Sequence, residues 1–277
     1  MAASQAFTIA LCLTALALLV QNSQAMMSGI KSDTVVTDNR YPYVVSLRKP
    51  DTLDHYCNGA LVSQTLVLTA AHCVDPLLGG FESPVVHLGR VCTNCEADTG
   101  FTEVASTSSA VHPSWAACMD TESDATKCLF KGSDIAVVSL ETPQIGWPTV
   151  TIAEDPSVVR SIGFNWLYAA GWEPENSLNQ AQVLFREPIP CSNQYEELFD
   201  NDGKYISITG GQMCASGVGD QICQGYSGAP LMVRGDTWED DIVVGILSFS
   251  TEGCVLPAIF SDVAFHKDEL EILMNSF

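Results

Sequence analysis

Beyond residue 25 the apolar residues of this chain come in short β-rich runs, and that pattern narrows the fold more than any other feature. The runs are Tyr43–Arg48, Ala60–Ser63, Leu66–Thr69, Ile135–Leu140, Ala181–Phe185 and Ile242–Phe249, separated by Gly, Pro, Asn and Asp. Valine, isoleucine and aromatic residues suit a pleated, half-buried surface, and the intervening residues are turn formers. Such a series points to an all-β sandwich or to barrels. One stretch has helical spacing: over about residues 265–275, Leu270, Leu273 and Met274 fall on one face. The chain has 277 residues and is 47% hydrophobic, enough to bury a sizeable core in one domain or two small ones. Pro143, Pro148 and Pro156 interrupt strand pattern and mark a division near residues 143–156.

The first 25 residues follow other rules. Phe7 to Val20 is uncharged and mostly apolar, and Ser23-Gln24-Ala25 is a small-x-small cleavage site. This reads as a secretory signal, residues 1–25, without the usual positive start. A membrane anchor is the alternative, but the run is shorter than the roughly 20 residues a span needs. Export predicts an oxidising compartment. Of 11 cysteines only Cys12 lies in the signal, so an even number remains to pair. Lys267-Asp268-Glu269-Leu270 has the letters of a retrieval signal but is internal. The formal net charge of -21 argues against nucleic acid and anionic membranes as partners. The densest acidic run, Asp236 to Asp241, reads as a solvated loop before it reads as a calcium site.

Three segments carry chemistry. Thr69-Ala-Ala-His72-Cys73 puts a histidine just after a strand. Asp134 heads the run Ile135–Leu140. Gly225-Tyr226-Ser227-Gly228-Ala229-Pro230 puts a serine in a glycine-bounded turn. Nucleophilic hydrolysis by serine needs a base to take its proton and a carboxylate to orient that base. The remaining histidines, His55, His87, His112 and His266, lack metal-ligand spacing, and His112 reads as a strand-end residue.

The three segments, with Tyr41–Leu47, Val111–Trp115 and Ala170-Gly-Trp172, resemble the trypsin/chymotrypsin family, from about Ile30 to the terminal helix. The resemblance implies two antiparallel six-stranded β-barrels with a C-terminal helix. The first barrel is expected over about 30–145, the second over about 150–263 and the helix over about 265–275, within a peptidase domain 26–277. It implies His72 as general base, Asp134 as its partner and Ser227 as nucleophile, with the N–H groups of Gly225 and Ser227 as oxyanion hole. Ser248 matches the serine that supports the carboxylate. It also implies the disulfides Cys57–Cys73, Cys191–Cys214 and Cys223–Cys254. Cys92, Cys95, Cys118 and Cys128 remain, with three possible pairings, of which the local one, Cys92–Cys95 and Cys118–Cys128, is preferred over a zinc or redox role.

Two departures from the family go together. Members usually start at Ile-Val-Gly-Gly after a basic residue, and the new α-amino group pairs with an aspartate before the serine. Here the matching start is Gly29-Ile30-Lys31-Ser32-Asp33, and the aspartate position holds Tyr226. Either Tyr226 supports the serine loop and no cleavage is needed, or the oxyanion hole is collapsed and the chain is a weak enzyme or a protein-binding module. In the specificity pocket Gln221 stands at the base, with Phe249, Ser250 and Ala258 on walls that are usually tryptophan and glycine, beside Ser248. A secreted, monomeric serine endopeptidase is expected, cutting after small or medium uncharged side chains. Its partners are a polypeptide substrate and protein inhibitors, and it needs no cofactor or metal.

Overall fold

The computed structural model describes residues 34–36, 39–92, 100–122, 124–130, 133–161, 166–172, 177–186, 188–199, 208, 210–217, 222, 226–251 and 256–277. The segment read as a signal, with Cys95, Gln221, Cys223, Gly225 and Cys254, lies outside them. Among the described residues no helix is long and apolar enough to cross a membrane.

Fourteen strands are described. A first closed barrel is made by β2 (Val44–Arg48), β3 (His55–Leu61), β4 (Leu66–Thr69), β5 (Val85–Leu88), β6 (Thr102–Val111) and β7 (Ala136–Leu140), in the order β2-β3-β4-β7-β6-β5. A second uses β9 (Trp166–Gly171), β10 (Asn179–Arg186), β11 (Gln212–Gly217), β12 (Pro230–Val233), β13 (Ile242–Phe249) and β14 (Ala258–Asp262). Its order is β10-β11-β14-β13-β12-β9, closed by the β9–β10 pairing. Neighbours within each barrel are antiparallel. Two short strands are added to the second barrel. β1 (Thr34–Val35), which precedes the first barrel in sequence, pairs with β10, and β8 (Thr151–Ile152) runs parallel to β13.

Closing a sheet removes its edges, and side chains fill the lumen. That is why β2, β4 and most of β13 are buried along their length instead of alternating. β6 is the exception; its run of Ser, Thr and Ala is largely half-exposed. The core is continuous between the barrels. Trp172, Met232, Val243 and Ile246 from the second pack in one cluster with Tyr43, Leu61 and Val137 of the first.

The C-terminal helix is present, at Lys267–Met274, slightly shorter than expected, with Leu270 and Leu273 buried against that same cluster. Numbering helices along the chain, it is α4. Three others were not foreseen: α1 (Pro113–Thr121), α2 (Ser157–Ser161) and α3 (Pro188–Phe199). Their apolar stripes are too narrow to show in the sequence; α1 buries only Trp115 and Cys118. Covalent staples hold two of them instead. Cys118 bonds Cys128, and Cys191 bonds Cys214. His112 follows β6 and caps α1, accepting from Ser114 N–H through Nδ1 at 3.1 Å.

The acidic run at residues 236–241 is not simply a solvated loop. Asp241 has no side-chain exposure. It accepts both terminal nitrogens of Arg40 at 2.6 and 2.7 Å, the Tyr43 hydroxyl at 2.6 Å and Gly235 N–H at 2.8 Å. Arg40 and Tyr43 lead into the first barrel, while Asp241 opens β13 of the second, so one carboxylate fastens the two. Breaking a buried pair strands its partner. Asp241→Ala is therefore expected to lower unfolding free energy by about 3–5 kcal/mol in a denaturant titration, whereas Asp240→Ala, on the exposed side of the same run, changes it little.

Candidate active site

His72 sits in a single 3-10 turn, Ala71–Cys73, directly after β4. The turn is pinned by the Cys57–Cys73 disulfide, which runs back to β3, and by the Tyr56 hydroxyl donating to Cys73 O at 3.0 Å. Asp134 precedes β7, the neighbour of β4, which brings the two side chains together. The His72 Nδ1–H donates to Asp134 Oδ2 at 2.7 Å, and the His72 backbone N–H donates to Oδ1 at 2.8 Å. Two bonds from one residue fix both ring position and tautomer. The ring proton lies on Nδ1, and Nε2, 3.7 Å from Cys73 Sγ, keeps its lone pair.

Asp134 is fully buried. A buried carboxylate is stable only when its oxygens are hydrogen-bonded. Ser248, on β13 of the second barrel, donates its hydroxyl to Oδ2 at 2.6 Å. Ser261 on β14 donates to the backbone carbonyl of Asp134 at 2.8 Å. The carboxylate of the first barrel is thus completed by serines of the second. For His72, burial of the ring pushes its pKa down, and the charge and hydrogen bond of Asp134 push it up. The balance lies above the ordinary 6.5.

Ser227 is partly exposed, on the turn between buried Tyr226 and β12. Its carbonyl accepts the backbone N–H of Asn58 at 2.7 Å and the Asn58 side-chain amide at 3.3 Å. Asn58 is on β3, next to Cys57, so one short piece of strand holds both the serine turn and, through the disulfide, the histidine turn. The Asn58 Oδ1 also accepts Trp172 N–H at 2.8 Å. Gly228 follows with φ +76°, and a Cβ there would lie 2.2 Å from Asn58 O and 2.5 Å from Thr69 Oγ1. The serine turn therefore lies against the end of β4, three residues before His72. Gly228 N–H also donates to Leu247 O, Ala229 N–H to Tyr226 O, and Leu247 N–H to Ala229 O.

Of the pocket residues, Ser248 is turned to Asp134, Ala258 is buried, and Phe249 and Ser250 are half-buried. Phe249 meets Phe130 and Tyr195 edge-on, at centroid distances of 5.0 and 5.8 Å. The Gln221 and Gly225 positions, and the Cys223–Cys254 pairing, fall outside the described residues. Cys92 is disulfide-bonded, and its partner is not among the described cysteines. Asn58 and Ser261 were not singled out from the sequence, and Trp172 entered only in the segment Ala170-Gly-Trp172 that carries the resemblance. For Asn58 a signal existed, an amide in the middle of an apolar strand, Cys57-Asn-Gly-Ala-Leu61.

The Trypsin family model matches residues 30–267. The chain is 28% identical to a tryptase of Mus musculus, over 87% of this chain and 86% of the relative. It is 27% identical to chymotrypsin-C of Rattus norvegicus, over 83% of each. It is also 28% identical to glucanase inhibitor protein 3 of Phytophthora infestans, over 83% of this chain and 82% of the relative.

Two outcomes are expected from this geometry. In Asp134→Asn the upward influence of the charge is gone and burial is left, so an NMR titration should find His72 below 6.5, against above 6.5 in the wild type. Gly228→Ala should lower stability by more than about 1 kcal/mol, read by thermal unfolding, because both its φ and its surroundings refuse a side chain.

Proposed function

The chain belongs to the trypsin family of serine proteases, and from that premise we propose that it is a secreted serine endopeptidase. The observation that carries the reading is the continuous chain of hydrogen bonds from Ser248 through Asp134 to His72 Nδ1, with Nε2 left as a base. In this reading Ser227 Oγ attacks the scissile carbonyl and His72 Nε2 takes its proton. Asp134 holds the ring through Nδ1 and stabilises the imidazolium. His72 then gives the proton to the departing amine, and the acyl-enzyme is hydrolysed by water in the same way. The Ser227 and Gly225 N–H groups serve the developing oxyanion, where each donor is worth roughly 10²–10³ in rate. Ser250 and Ala258, in place of glycines, favour small or medium uncharged side chains. The disulfides support an oxidising, extracellular destination, reached through a cleaved signal of residues 1–25.

Tyr226 supports an enzyme that needs no cleavage to form its serine turn. It is 1% exposed and packs in the apolar cluster of the second barrel with Leu167, Leu231 and Phe260. A Cβ on Gly171 would come within 3.1 Å of its ring, so the space is filled. A neutral ring buried there needs no ammonium partner, and the turn is tied by Asn58, Leu247 and core packing instead. A second reading is favoured by the same residue and by the relative named as a glucanase inhibitor: a protease-like scaffold that binds a protein without cutting it.

A fluorophosphonate probe separates the two. The enzyme reading expects labelling of the secreted protein without prior proteolysis and none in Ser227→Ala. A folded wild type that stays unlabelled would decide for the binding scaffold. Since His72 must be neutral to act as base, the labelling rate should rise with pH, with its midpoint above 6.5.

A further inference from the structure

His112, His266 and Glu269 come together as a group that shares no side chain with the site described above, although the His112 backbone N–H donates to Ile135 O, one residue after Asp134, at 3.0 Å. Each offers one ligand atom, and these atoms lie within 4.8 Å of one another. His112 stands at the junction of β6 and α1 in the first barrel. His266 and Glu269 stand at the start of α4, three apart on one helical face. Both imidazoles are 4% exposed, and their centroids are 4.7 Å apart.

The chemistry of the pair is unusual for a core contact. His266 Nε2 is 3.2 Å from Gly211 O, so that nitrogen carries the proton and donates, and the ring's lone pair is on Nδ1. A backbone carbonyl receiving the distal ring N–H is the usual outer support of a metal-bound histidine. On the other ring, His112 Nε2 is buried without a hydrogen-bond partner, which a core normally avoids. Two imidazoles and a carboxylate form a donor set that suits zinc and similar borderline cations. Tetrahedral zinc with such ligands needs donor atoms about 3.4 Å apart, so the three would draw in by roughly an ångström.

We propose that His112, His266 and Glu269 form a zinc-binding site that fastens α4 to the first barrel. Loading moves the His112 ring proton from Nε2 to Nδ1 and gives up the bond from Ser114 N–H, while Nε2 gains the cation. The fourth position is open to water. The role is that of a clasp and is independent of whether Ser227 is a nucleophile.

The test is equilibrium dialysis and thermal unfolding of chelator-stripped full-length protein with Zn²⁺ alone. The expected result is one zinc per chain and a melting temperature that rises with zinc. Glu269→Gln, at a half-exposed position that should fold normally, is expected to weaken binding on the order of tenfold, and His266→Gln by more. His72→Ala, which removes an imidazole outside the cluster, should bind as the wild type does. No retained zinc, binding unaffected by Glu269→Gln and His266→Gln, or binding lost in His72→Ala would each overturn the proposal.

Discussion

The grip of Asn58 on the carbonyl of Ser227 is the contact on which the candidate site depends. The serine turn belongs to the second barrel, and the histidine turn to the first. Nothing in either barrel alone sets their separation. Asn58 meets the serine turn with its backbone and its amide, while Cys57 beside it holds Cys73 beside His72. Four residues of chain and one disulfide therefore measure out the distance between Ser227 and His72. Gly228 is needed because this approach is so close that its absent Cβ would strike Asn58 O.

A grip of this kind holds only if the barrels cannot slide. The shared apolar cluster resists separation, but apolar contact is non-directional and tolerates small rotations. The directional constraint comes from buried polar groups placed at different points of the seam. Asp241 draws Arg40 and Tyr43 onto the start of β13. Asp134 draws Ser248 and Ser261 from β13 and β14. Asn58 draws the backbone of Trp172. Each has geometry that a slip of an ångström would break, and each would then leave an unpaired buried group. The specificity of the interface thus resides in its polar minority.

The β-rich character and the three chemical segments were legible in the sequence because they are local, whereas the two closed barrels came from the family resemblance, since the strand runs alone fit a sandwich as well. Short β-rich runs, a histidine after a strand and a serine between glycines are each contained in a few consecutive residues. What escaped is non-local. Asp241 looks like any member of an acidic run until Arg40 is beside it. His112 and His266 have no ligand spacing along the chain and acquire it only when α4 folds back on the first barrel. Helices α1 and α3 escaped for a related reason. Their stability comes from disulfides and from the surface they cover, not from an apolar stripe of their own. Asn58 stood in plain view, yet its meaning depends on a partner far along the chain.

The same energetics bear on what the molecule is for. A fully buried carboxylate with three donors on its oxygens is an expensive way to build a core, since apolar residues of similar volume often do as well or better. A scaffold that only binds gains nothing from it. Where the family's activation carboxylate would also be buried, this chain has the neutral, well-packed ring of Tyr226. The molecule therefore sheds one buried charge and keeps the other. The charge it keeps is the one that orients His72 and raises its pKa, and the one it sheds belongs to activation. Under the proposed reading, a chain that keeps the carboxylate beside His72 and replaces the activation aspartate with a packed tyrosine fits hydrolysis without a cleavage step better than it fits a scaffold that only binds.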